Sequence, residues 1–111
     1  MVGVVEELSP RDFCERWPDE QRDQVQLLDV REPVELAVTS LPGTLNIPMR
    51  QVPARLEELD ASKPVVVLCH TGRRSRQVAA FLLAHGFEDV YNLAGGIEAW
   101  ATDIDPDLRR Y

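Results

Sequence analysis

Cys69 is followed by His70, Thr71, Gly72, Arg73, Arg74 and Ser75, so one thiol stands within five residues of an imidazole and two guanidinium groups. A thiol is a nucleophile as its anion. A free cysteine, with pKa about 8.5, is only about 3% ionised at pH 7, and favouring the charged form by about 2.7 kcal/mol brings that to about three-quarters. A helix N-terminus contributes about 1 kcal/mol towards an anion, and adjacent cations and amide hydrogen bonds can supply the remainder. Most free cysteines merely fill a core, but such a cysteine needs neither a tight glycine loop nor two arginines. Cys69 is therefore read as a reactive thiol.

The elements around it follow from the apolar pattern. Val65 to Cys69 is uniformly apolar and β-branched, the mark of a strand covered on both faces, and it reads as the central strand. His70 to Arg74 then forms a loop, and Ser75 to His85 a helix, with Val78, Ala79, Phe81, Leu82 and Leu83 inward and Gly86 as its stop. In open α/β sheets ligands bind where a strand hands over to a helix in this way.

Upstream, Val2 to Glu6 is a candidate edge strand, Ser9-Pro10 opens a helix ending near Trp17-Pro18, and Val25 to Val30 is a buried strand. Arg31 to Leu36 starts a short helix. Leu45 to Ile47 is a brief strand after the turn at Pro42-Gly43, and Gln51 to Leu59 has apolar residues at helical spacing. Downstream come a strand at Val90 to Leu93, a turn at Ala94-Gly95-Gly96 and a short helix from Ile97 to Trp100. Strands alternating with helices predict an α/β domain with a mostly parallel sheet.

The 111 residues suit one domain, with a core over about 4–100 and a polar tail over 103–111. Twelve Lys and Arg against 19 Asp and Glu leave a net charge of −7, which repels a phosphate backbone or an anionic bilayer and argues against nucleic-acid and membrane partners. No apolar run approaches the roughly 18–20 residues that span a bilayer, and the start has no secretory pattern, so a cytoplasmic location is expected. Cys14 and Cys69 lie far apart without a CxxC, which suggests neither a disulfide framework nor a metal site.

Four ordered motifs carry a resemblance. Asp29-Val30-Arg31-Glu32-Pro33, Pro42 to Pro48, Val67 to Ser75 and Leu93 to Trp100 closely resemble a single-domain rhodanese, in the family's order and spacing, from about Val4 to Trp100. The resemblance implies a five-stranded sheet flanked by helices, and a sulfurtransferase whose cysteine, here Cys69, carries a sulfane sulfur as a persulfide. It implies that backbone amides of His70, Thr71, Gly72, Arg73 and Arg74 hold that sulfur, with no cofactor. The donor would be a small anion such as thiosulfate, and the acceptor cyanide, a thiol or a sulfur-accepting protein.

Asp29 and Arg31 look like the family's structural pair, and Ser75 is placed beside the site. Gly95 and Gly96 let backbone approach the loop. His70 is read as tuning the anion field, His85 as a helix-end cap, and Cys14 and Trp100 as packed residues. Where many members have Gly-His-Ile before Pro-Gly, this chain has Thr39-Ser40-Leu41.

Two rivals follow from the same residues. A non-catalytic rhodanese-like interaction module would have no need of Cys69. Cysteine phosphatases and arsenate reductases with similar loops carry an arginine six positions after the cysteine; here that position is Ser75, so the loop is one residue short for a tetrahedral oxyanion.

Overall fold

The computed structural model describes residues 4–111. Five strands form one sheet: β1 (Glu6–Leu8), β2 (Gln26–Asp29), β3 (Leu45–Asn46), β4 (Val65–Leu68) and β5 (Val90–Leu93). Their order is β1-β5-β4-β2-β3, and every pairing is parallel. The mostly parallel sheet expected from the sequence is thus wholly parallel. β4 is central, flanked by β2 and β5.

Residues of β4, and Cys69 directly after it, alternate between two apolar layers. Val65, Val67 and Cys69 join Leu28, Val30, Val78, Ala79 and Leu82 on one face; Val66 and Leu68 join Phe13, Leu27, Ile97 and Trp100 on the other. Val65 to Leu68 are all 0% exposed, which is why the strand shows no polar alternation. Burying each such side chain stabilises the fold by about 1.5–3 kcal/mol at most.

There are four α-helices among the described residues: α1 (Pro10–Arg16), α2 (Pro33–Leu36), α3 (Arg73–Ala84) and α4 (Gly96–Asp103). α3 lies on the first face, and α1 and α4 lie on the second, so both faces are covered. Ser9 caps α1 by accepting from the Asp12 N–H, and Pro10 takes the first helical position, as the sequence predicts. None of the helices is long and apolar enough to cross a membrane among the described residues.

The structure corrects four local expectations. The first strand begins at Glu6 rather than Val2, and Val2 and Gly3 lie outside the described residues. The helix predicted over Gln51 to Leu59 is two 3-10 segments, Met49–Ala54 and Leu56–Glu58. Pro53 lacks the N–H that a continuous α-helix requires at that position. α3 starts at Arg73 rather than Ser75, because Gly72 takes a left-handed turn (φ 100°) directly before it. Finally, α4 runs on to Asp103, and the polar tail returns to the cysteine loop, where Tyr111 stacks on His70.

Candidate functional site

Cys69 immediately follows β4, is 1% exposed and belongs to the layer under α3. The turn at Gly72 brings its own N–H to 3.1 Å from Cys69 Sγ, and one helical turn on, the Ser75 hydroxyl donates to the same sulfur at 3.2 Å. Burial pushes the Cys69 thiol up. The Ser75 hydroxyl and the backbone N–H groups of Ser75, Gly72 and Thr71 pull it down harder, so its pKa lies below that of an ordinary cysteine.

Cys14 is the contrast. Burial raises its pKa, and Arg22, 3.6 Å from its sulfur, offsets this only in part. A cavity of about 430 Å³ opens beside Cys14, Leu27, Leu41 and Trp100, and none of residues 69–75 lines it. Hydrogen bonding rather than cavity size distinguishes the two thiols, because an anion is stabilised by donors at the atom that carries it.

The loop's carbonyls are drawn away from the sulfur by neighbouring donors. Cys69 O and His70 O accept from the N–H groups of Ile97 and Glu98 in the first turn of α4, at 2.9 and 3.1 Å. Gly72 O accepts from Asn92 Nδ2 at 3.0 Å, and Asn92 also donates to Glu7, which is paired with Arg76. With these acceptors occupied elsewhere, N–H groups and the positive end of α3 are left to face an anion. The close approach needs glycine: a Cβ on Gly96, itself at φ 60°, would stand 2.5 Å from Cys69 O and 2.6 Å from His70 O.

Two of the cations are tied down. Arg31, fully buried, makes three contacts of 2.8 to 3.1 Å with the Asp29 carboxylate, donates to Thr39 O at 2.9 Å and to the Tyr111 phenol at 3.1 Å. The Thr39-Ser40-Leu41 segment thus contributes a backbone carbonyl to Arg31. Arg74 is held bidentately by Glu35, at 2.7 and 2.9 Å, and Glu35 also accepts from the Tyr111 hydroxyl at 2.8 Å. The Arg74 guanidinium beside it lowers the Glu35 carboxyl from 4.5 to about 2.

Of the loop cations, Arg73 is exposed, and among the described residues no carboxylate engages it. His70 is half-buried, stacked on Tyr111 with 3.9 Å between ring centroids, and its Nε2 lies 3.9 Å from a Glu98 oxygen. Thr71 is exposed and reaches the sulfur through its backbone N–H. Cys69, Thr71, Gly72 and Ser75 therefore converge on one sulfur, whereas the Arg74 side chain turns to Glu35. Sequence reasoning missed Glu35, Asn92 and Tyr111. Their partners lie 39, 20 and 76–80 residues away in the chain, and local patterns carry no trace of such pairs.

The family model described as rhodanese-like domain matches residues 15–103. The chain belongs to that family. A protein of Allochromatium vinosum named sulfurtransferase is 38% identical over 98 residues, covering 88% of this chain and 90% of its own. The chloroplastic rhodanese-like/PpiC domain-containing protein 12 of Arabidopsis thaliana is 44% identical over 93 residues; the match covers 80% of this chain but only 31% of that protein. A crystal structure of a rhodanese-like domain protein from Staphylococcus aureus superposes with TM-score 0.80 at 27% identity, covering 96% of this chain and 99% of that one.

Proposed function

We propose that the chain is a rhodanese-type sulfurtransferase with Cys69 as its sulfur carrier. The observation that carries this is the convergence of the Gly72 N–H and the Ser75 hydroxyl on Cys69 Sγ at the start of α3. The sulfurtransferase relative, aligned over most of both chains, supports the same chemistry.

With thiosulfate as donor, the Cys69 thiolate attacks the outer sulfur. A new S–S bond forms, the old one breaks, and sulfite leaves with its electron pair. The persulfide anion then lies among the N–H groups of residues 70–74 at the helix end, which stabilise charge where it develops. Cyanide attacks the outer sulfur in the second step, leaves as thiocyanate and returns the Cys69 thiolate. A thiol anion as acceptor leaves as a persulfide in the same way; a protein persulfide can replace thiosulfate as donor, and a thiol-bearing protein can replace cyanide as acceptor.

Arg73 draws in the donor anion against the net charge of −7, while Arg74, held by Glu35, contributes its backbone N–H and fixes the helix start. Asp29 and Arg31 shape the neighbouring loop, and Gly95 and Gly96 let α4 close against it. A cytoplasmic setting, where thiols stay reduced, would keep Cys69 available as a sulfur carrier. Ser75 fills the place where a phosphatase loop carries arginine, and its hydroxyl is already spent on the sulfur.

The test is thiosulfate:cyanide turnover by the intact chain and by Cys69→Ser. Ping-pong kinetics in the first and no turnover in the second are expected. Equal rates in the two would exclude Cys69 as the carrier.

A further inference from the structure

After α4 the chain returns to the cysteine loop and ends its described course on it. Leu108 packs against the apolar layer that contains Trp100, Arg110 reaches Glu98 at 3.5 Å and Thr102 at 2.8 Å, and Tyr111 arrives on the imidazole of His70. The Tyr111 phenol is fixed from two sides, accepting from Arg31 Nη1 and donating to Glu35 Oε2. Arg31 is wholly buried, and Glu35 is locked to Arg74. The phenol is therefore tied to Arg31, just after β2, and through Glu35 to α2 and α3, while its ring lies on the imidazole of His70.

We propose that Tyr111 is a specificity-determining residue for the sulfur acceptor and acts through His70. The proposal rests on the sulfurtransferase reading of Cys69. Cys69 is 1% exposed, so a nucleophile approaching a sulfur bound there has a narrow way in, and His70 is the next residue in the chain. Stacked at 3.9 Å with ring planes 13° apart, the two rings make a stiff wall on that side of the loop. A rigid wall beside the reacting atom discriminates by size. Cyanide, two atoms across, passes it; a thiol whose sulfur carries a peptide or a branched chain meets it. Tyr111 makes no hydrogen bond to the reacting sulfur, which makes it a positioning residue, and comparing two acceptors with one donor keeps the donor step common to both.

The experiment measures kcat/KM for two acceptors, cyanide and glutathione, with thiosulfate as donor, in the intact chain, Tyr111→Ala, Tyr111→Phe, His70→Ala and the Tyr111→Ala/His70→Ala double variant. Persulfide formation from thiosulfate is followed separately in each by mass spectrometry. The glutathione-to-cyanide ratio is expected to rise at least threefold in Tyr111→Ala and less in Tyr111→Phe, which keeps the stack. It is also expected to rise in His70→Ala, with no further rise when Tyr111→Ala is added, because both changes remove the same wall. A simple structural role would lower both acceptors together and leave the ratio unmoved. An unchanged ratio in Tyr111→Ala, a shift in Tyr111→Phe as large as in Tyr111→Ala, or independent effects of the two alanine variants would overturn the proposal. Absence of persulfide from the intact chain would instead refute the sulfurtransferase reading, and the proposal with it.

Discussion

At the scale of single residues, the two thiols differ in what surrounds the sulfur, and the pKa of Cys69 is lowered while that of Cys14 is raised. Burial works against ionisation at Cys69, and a hydroxyl and backbone N–H groups work for it. Ser75 supplies the one side chain in that set, at 3.2 Å. A hydrogen bond to a charged group is worth about 1.5–3 kcal/mol, so Ser75→Ala should slow Cys69 alkylation by iodoacetamide at pH 7 by about tenfold and move its ionisation to higher pH. An alkylation profile identical to that of the parent would show that the hydroxyl does not stabilise the thiolate. The setting that lowers the Cys69 pKa, a glycine turn leading into a helix N-terminus, could be inferred from its neighbours in the chain. The contribution of Ser75 could not be assigned to the sulfur, because its reach depends on where α3 begins, and Arg73 starts that helix two residues before the expected point.

Among elements, the critical contact is between the first turn of α4 and the cysteine loop. Gly96 allows it, since a Cβ there would lie 2.5 Å from Cys69 O, and the backbone at φ 60° strains any other residue. Gly96→Ala is expected to destabilise the fold by about 1–3 kcal/mol through overpacking, read as a lowered denaturation midpoint, and to weaken Cys69 alkylation with it. Unchanged stability would mean that the loop and α4 can separate freely. The close approach to the loop expected at Gly95-Gly96 is made at Gly96, whereas a Cβ on Gly95 would meet Ala99 of α4 itself. β4 was legible in the sequence, since an unbroken Val-Val-Val-Leu run has only a two-sided burial to explain it. The 3-10 segments over 49–58 were not, because Val52, Leu56 and Leu59 keep helical spacing while Pro53 interrupts the α-helical bonding.

For the molecule as a whole, distant segments are tied together around the site by charge. Glu35 links α2 to Arg74 on α3 and to Tyr111 at the far end of the chain. Its carboxyl is lowered from 4.5 to about 2, so the stability it contributes is present in full above about pH 4.5 and is lost as pH falls through about 2. Denaturant unfolding of the parent and of Glu35→Gln should therefore differ at pH 7 and converge as the solution is acidified towards pH 2; a difference that persists unchanged would place its origin outside ionisation. The net charge of −7 opposes the approach of any anion, and the fold gathers N–H groups on the Cys69 sulfur at the end of its central strand. The most direct test of sulfur carriage is mass spectrometry of the intact chain after incubation with thiosulfate. One added sulfur atom, mapped to Cys69, absent from Cys14 and removed by cyanide, is the predicted result. A chain that gains no sulfur, or gains it at Cys14, would contradict it.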